Sequence, residues 1–228
     1  QVVPALAKRD YRIRVGVRRP EQARYLQPLG RVGQIHTVQA NLRHPASVAA
    51  AMRDSHVAIN LVGILSQSGP QTFDAVIAKG AETVAKAAAA IGAQLVHVSA
   101  IGANDQSPSG YARAKAAGES AVFAAVPSAT VLRPSVMFGP EDEFTNRFAA
   151  LARMSPVLPL IGGGETKLQP AYVGDVATAV AYAVDGTTKA GAVYELGGPE
   201  VLSMRELMQI ILRVIERERP LVSLPFGL

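Results

Sequence analysis

The chain has 228 residues, 49% of them apolar, with no Cys and no Trp. That length allows one α/β domain or one domain with a small lobe; the lack of Cys excludes disulfides and thiolate sites, and no apolar run reaches the length that spans a bilayer. The net charge of +5 is scattered and aromatics are only 5%, which argues against the basic stripe with stacking platforms that a nucleic-acid binder needs.

Residues 1–9 read as the tail of an amphipathic helix, and Tyr11 to Val17 alternates as a strand. Arg18, Arg19 and Pro20 close that strand, and a short helix is predicted over 21–29. A second strand covers 34–39, followed by Asn41 and Leu42, and a helix fits 45–53. A third strand runs over 56–62 and ends at Gly63. Phe73, Val76, Ile77, Gly80, Ala81, Val84, Ala85 and Ala88 recur at helical spacing, which predicts a long helix over 71–91. A strand at 129–132 ends at Arg133 and Pro134. Strands alternating with helices imply a parallel sheet covered by helices. Beyond Pro134 the pattern changes to short extended pieces, with helices at 144–154 and after Asp175, which is read as a helix cap. A strand follows at 192–196, and Ser203 with Glu206 forms a capping box. The expected organisation is a Rossmann-type doubly wound α/β core over 1–133 and a small substrate-side lobe over 134–228, partly threaded back into the core sheet.

The chemistry concentrates between Gln94 and Lys115. Leu95, Val96 and Val98 form a short buried strand, and Ser99 stands at its end. A loop rich in Gly, Asn, Ser and Pro follows, and a helix opens with Tyr111. Lys115 lies four residues on, so both side chains share one helix face. A free Tyr has a pKa near ~10, and a neighbouring ammonium lowers it. With a serine hydroxyl to hold an oxygen, such a pair can move a proton while a nicotinamide moves a hydride. The plainer reading is a snorkelling Tyr–Lys pair on an ordinary helix.

The four His, at 36, 44, 56 and 97, show no ligand spacing. A solvated acid run is the better reading of Glu141, Asp142 and Glu143, so no metal site is expected. Gly162, Gly163 and Gly164 lack the strand-to-helix setting of a phosphate loop and read as a turn.

With these residues in place, the chain resembles the short-chain dehydrogenase/reductase superfamily in its extended or atypical branch. Ser99, Tyr111 and Lys115 match the catalytic positions. Asn60 to Gly63 looks like the cofactor segment after a strand, and RPS at 133–135 with FGPEDEF at 138–144 resembles the turn of extended members. More narrowly, HVSAIGA, YARAKAAGE, LRPSVMFGPEDEF and QPAYVGDVA together resemble the nucleotide-binding accessory subunits of respiratory complex I and their bacterial relatives. The resemblance implies a nicotinamide dinucleotide held by Arg18, Arg19, Asn41, Leu42, Asn60, Tyr111, Lys115, Pro134 and Ser135. Arg18 and Arg19 stand where an acid would contact ribose hydroxyls, which favours NADP(H) over NAD(H).

The family's first strand and G-x-x-G-x-x-G turn are absent, and the sequence stops at LVSLPFGL where relatives continue. An incomplete chain is therefore expected, with the strands at 11–17 and 56–62 either separated by a gap or paired directly. Two functions remain open on this reading. One is a complex I accessory subunit holding NADP(H) structurally. The other is an active NAD(P)-dependent reductase, epimerase or dehydratase using Ser–Tyr–Lys chemistry. A cytoplasmic location is expected, with a peripheral position on the inner face of the energy-transducing membrane in the first case.

Overall fold

The computed structural model describes residues 1–225, so the last three residues of the predicted lobe lie outside the described residues. A helix of six residues, α1 (Val2–Ala7), leads into β1 (Ile13–Val17). The helix expected over 21–29 is a 3₁₀ helix spanning Pro20–Leu29, because Pro at its start and Pro28 inside it remove backbone donors. β2 (Ile35–Gln39) then pairs with β1 in parallel, from Ile13↔Ile35 to Val17↔Gln39. Next come α2 (Pro45–Met52) and β3 (Val57–Asn60). That strand is shorter than expected and leaves Leu61 and Val62 in the following loop. The long helix predicted over 71–91 is divided into a π turn at Asp74–Ala78 and α3 (Lys79–Ala90). β4 (Gln94–Val98), α4 (Gly110–Ala125) and β5 (Thr130–Pro134) follow.

The remaining elements are β6 (Met137–Phe138), α5 (Thr145–Met154), β7 (Leu158–Ile161), β8 (Lys167–Leu168) and β9 (Ala171–Tyr172). After them come α6 (Val173–Val184), β10 (Val193–Leu196), β11 (Leu202–Ser203), α7 (Met204–Val214) and β12 (Leu221–Leu224). α6 starts at Val173, directly after β9. Asp175 therefore lies inside its first turn, favoured there by the helix dipole, and is not the cap that the sequence predicts. Gly162, Gly163 and Gly164 form a single tight turn with φ of 58°, 74° and 79°, values that favour glycine at all three positions.

The main sheet has the order β10-β5-β4-β3. β3 pairs with β4 in parallel, Ala58 opposite Leu95 and Asn60 opposite His97. β4 pairs with β5 in parallel from Val96↔Thr130. β10 joins β5 through Val131 N–H to Ala192 O and Ser135 N–H to Leu196 O, a pairing whose numbers rise together and which is therefore also parallel. β1 and β2 form a separate sheet, so β1 and β3 are not paired with one another. Of the two arrangements expected, the structure has the gap.

The chain divides into two compact units. The first is Gln1–Arg133 with Ala177–Glu195, and the second is Pro134–Val176 with the chain from Leu196 onward. In the first, Ala81, Val84, Ala85 and Ala88 of α3 pack with Leu95, Val122 and Val131 into one buried cluster. Small residues allow the two helices to lie close. A Cβ on Gly118 of α4 would stand 3.2 Å from the Cβ of Ala81 and 3.3 Å from the carbonyl of Ile77. In the second unit, α5 and α7 bury Ala149, Ala152, Leu207, Met208, Ile211 and Leu212 with Leu158 and Leu160 of β7. The predicted capping box is present there: Ser203 Oγ accepts from Glu206 N–H, and the Glu206 carboxylate accepts from Ser203 N–H at 2.6 Å.

Candidate functional site

In parallel α/β sheets the backbone at the carboxyl ends of the strands is where ligands are received. At the end of β4, Ser99 N–H donates to Leu132 O at 2.7 Å, which ties the strand end to β5. Helix α4 starts from the loop after Ser99, with Ser109 Oγ capping Ala112 N–H. Tyr111 lies in its first turn and Lys115 one turn on. Lys115 as a residue is only 4% exposed, and its ammonium donates to Val98 O at 3.2 Å and Ser99 O at 3.4 Å. It lies 5.8 Å from the centre of the Tyr111 ring. Lys115 thus lies between the backbone carbonyl of Ser99 and the ring of Tyr111.

Burial lowers the Lys115 pKa to about 8, and Glu119, one turn further along α4, opposes that shift. Tyr111 differs from the sequence-based expectation. Its pKa is raised by burial, and Lys115 does not bring it down. The physical reason is placement: the ammonium bonds strand carbonyls and faces the ring. At neutral pH Tyr111 is therefore a protonated phenol. Phe73, immediately before the π turn, packs edge-on against it with ring centres 5.7 Å apart and planes at 78°.

Beneath this cluster is a buried polar pair. Asn60 Oδ1 accepts from Val62 N–H, which leaves its Nδ2 facing His97 Nδ1 at 3.1 Å. The amide donates there, so the neutral imidazole carries its proton on Nε2. Burial, helped by the charge of Lys115, lowers the His97 pKa to about 4. His97 Nε2 and Ser99 Oγ are buried and have no hydrogen-bond partner among the described residues. On the neighbouring strand, Arg133 makes a two-pronged ion pair with Glu119, at 2.9 and 2.7 Å, and a longer one with Glu195 at 3.3 Å.

The other sequence candidates are spread out. Arg18 and Arg19 are exposed just beyond β1, and Arg18 donates to Gln71 Oε1 at 3.1 Å. Asn41 accepts from Arg43 N–H in a tight local turn. Leu42 packs on α3 so closely that a Cβ on Gly80 would lie 2.8 Å from it. Asn60 is 3% exposed and serves the strand-end cap and His97. Pro134 and Ser135 belong to the second unit, where Ser135 N–H bonds Leu196 O. Sequence reasoning missed Glu119, Arg133, Phe73 and the polar role of His97. Glu119 was within reach, since it lies at i+4 from Lys115 and i+8 from Tyr111 on the same face.

The model of the RmlD substrate binding domain matches residues 31–224. The chain belongs to that family. Membership places it in the short-chain dehydrogenase/reductase-like superfamily anticipated from its motifs. A relative in Arabidopsis thaliana, the mitochondrial NADH dehydrogenase [ubiquinone] 1 alpha subcomplex subunit 9, is 38% identical over 99% of this chain and 57% of its own length. A ceramide reductase from Caulobacter vibrioides is 37% identical over 70% of this chain and 49% of its own length. The chain of this RmlD-family member therefore spans about half the length of these relatives. In fold it matches the dTDP-glucose 4,6-dehydratase DesIV of Streptomyces venezuelae, solved with NAD bound, at a TM-score of 0.82 and 20% identity over 98% of this chain and 80% of the other. The doubly wound α/β architecture inferred from the pattern of elements is thus shared with a known Rossmann-type structure. Among the described residues, no helix is long and apolar enough to cross a membrane.

Proposed function

We propose that this chain is part of an accessory subunit of NADH:ubiquinone oxidoreductase, respiratory complex I, that holds a nicotinamide dinucleotide and turns it over little or not at all. The observation that carries the reading is the strand-end cluster in which Ser99 Oγ is buried without a partner while the Lys115 ammonium holds the Ser99 backbone carbonyl. An orphaned hydroxyl at that position is suited to a ligand oxygen. Gly63 lies beside the same ammonium: a Cβ there would stand 3.7 Å from Lys115 Nζ, in ordinary van der Waals contact. Lys115 and Tyr111 would hold the ribose and nicotinamide end. Asn41, Leu42 and Asn60 would support the adenosine side and the strand ends through backbone positions. Arg18 and Arg19, exposed beyond β1, suit a 2′-phosphate, so NADP(H) is the preferred form.

A bound dinucleotide would supply hydride transfer. Tyr111, kept protonated by burial, donates a hydrogen bond well and accepts a proton poorly, which suits holding over turnover. The likeness to the Arabidopsis complex I subunit across nearly the whole chain supports membership of the assembly. The proposed location is peripheral, on the inner face of the energy-transducing membrane.

A second reading is favoured by the presence together of Ser99, Tyr111 and Lys115, and by the likeness to a ceramide reductase. In it the chain belongs to an active NAD(P)-dependent reductase, epimerase or dehydratase. Tyr111 would be the acid, Lys115 would position it, and Ser99 would hold the substrate oxygen. The Tyr111→Phe variant of the intact protein separates the two. In the first case, co-purification with the respiratory complex and NADPH binding by calorimetry remain as in wild type. In the second, turnover falls by at least ~100-fold. If wild type binds neither NADPH nor NADH, both readings fail.

A further inference from the structure

We propose that Arg133 is a positioning residue of the strand-end site: by occupying both carboxylate oxygens of Glu119, it keeps that anion from drawing the Lys115 ammonium away from the end of β4. This deepens the reading above and rests on Lys115 being the group that receives the dinucleotide. All the residues involved belong to the first compact unit.

The competition arises from helix spacing. Lys115 and Glu119 stand four apart on α4, and both are buried along with Ala114, Gly118 and Val122. Positions i and i+4 lie one above the other, so an ammonium and a carboxylate placed there ordinarily pair. Here they do not. Among the described residues the ion pair of Glu119 is with Arg133 alone, Nε to Oε1 at 2.9 Å and Nη2 to Oε2 at 2.7 Å. Lys115 turns instead to Val98 O and Ser99 O. The two groups still act on one another, since Glu119 raises the Lys115 pKa against the effect of burial.

Electrostatics says what would happen without the guanidinium. A carboxylate attracts an ammonium more strongly than neutral carbonyls do, because its full negative charge adds to the hydrogen bond. Stripped of Arg133, Glu119 would be a buried charge without compensation, at 6% exposure. His97 offers it no cation, being neutral at pH 7. Lys115, one turn away, is the cation in reach. Arg133 prevents the exchange through its shape, since its planar fork meets both oxygens in parallel where an ammonium is a single point. The fork is braced on the far side, where Nη1 reaches Glu195 Oε1 of β10 at 3.3 Å.

The test compares Arg133→Met with the double variant Arg133→Met/Glu119→Met in the intact protein. Calorimetry with NADPH and NADH reads binding, and crystal structures of the variants show where Lys115 goes. In Arg133→Met both dinucleotides should weaken by about tenfold, as for the loss of one hydrogen bond to a charged group. Lys115 Nζ should then lie in salt-bridge contact with Glu119. Removing the carboxylate as well should bring affinity back to within about threefold of wild type, because the two sites are coupled. A role for Arg133 in stability alone would leave the double variant no better than the single. If Arg133→Met does not fold, Arg133→Lys, which keeps the charge and gives up the fork, is compared with Arg133→Lys/Glu119→Gln in the same way. Unchanged affinity in the single variant, no recovery in the double, or Lys115 still on the Val98 and Ser99 carbonyls in the single variant overturns the proposal. If wild type binds neither dinucleotide, the reading above fails, and the position of Lys115 in the single variant still decides this one.

Discussion

The end of β4 and the end of β1 carry the two halves of the predicted dinucleotide site, yet they are built differently. At β4 the polar side chains of Asn60, His97, Ser99, Lys115 and Glu119 are buried. Lys115 bonds strand carbonyls, His97 is fixed by Asn60, and Glu119 is clamped by Arg133. At β1 the charges lie at the surface, and Arg18 holds only a side-chain amide. The difference separates two ways of using charge. Enclosed charges must be paired, and removing a partner disturbs the fold. Surface groups are free to meet a ligand, and their removal alters recognition.

The largest effect is expected at Glu119. Its side chain is 7% exposed, and Glu119→Ala strips the two-pronged partner from a guanidinium that is itself mostly enclosed. Urea unfolding should show a loss of about 3 kcal/mol, in the range for broken buried pairs. Glu195→Ala removes the outer partner of the same Arg133, at 57% exposure, and should change stability by less than about 1 kcal/mol. Equal losses from the two variants would mean that enclosure is not what distinguishes the β4 end.

His97 gives a pH test of the same enclosure. Its pKa falls to about 4 in the folded chain from 6.5. Between those values the unfolded chain binds the proton more readily, so stability drops as pH falls from 6.5 towards 4. The drop amounts to roughly 3 kcal/mol from this group. Below about pH 4 both states are protonated and its contribution levels off. In His97→Gln the acid limb should flatten over that window, read from unfolding midpoints at half-unit steps in pH. An unchanged limb would place the acid sensitivity on the carboxylates.

On β1 itself Arg14 is anchored, donating to Ala51 O at 2.8 Å and Arg53 O at 2.6 Å near the end of α2. Arg14→Ala should cost about 1 kcal/mol by chemical denaturation, as for other charge-assisted bonds at an exposed position. A loss as large as that at Glu119 would erase the contrast between the two strand ends.

The contrast also explains what the sequence made legible. The alternation over 13–17 and 94–98 and the helical spacing after Gly110 set the elements, because burial of one face dictates their period. That Tyr111 and Lys115 share a face was readable because i and i+4 on a helix do so whatever the packing. The tautomer of His97 was not readable, since it depends on the parallel register that sets Asn60 opposite His97 across two strands. Nor was the rise in the Tyr111 pKa, which comes from how Phe73 and the strand carbonyls enclose the pair. The π turn before α3 breaks a helical period that looked continuous from Phe73 to Ala88. Asp175 misled because a short polar residue before an apolar run reads as a cap, while the chain enters α6 two residues earlier from β9.

The smallest effect on stability and the sharpest on recognition are expected from Arg18 and Arg19. Both are exposed, and among the described residues the one side-chain bond the pair makes is from Arg18 to Gln71. Arg18→Glu with Arg19→Glu should therefore shift the unfolding free energy by less than about 0.5 kcal/mol. If the two guanidiniums receive a 2′-phosphate, charge reversal there repels it and leaves room for the ribose hydroxyls of NADH. Competition calorimetry on the intact protein should then show NADPH weakened by about tenfold or more and NADH within about threefold of wild type. A parallel loss of both cofactors would assign the pair to the dinucleotide as a whole. No change in either would leave them as surface charge, and the dinucleotide preference would then have to arise elsewhere than at the end of β1.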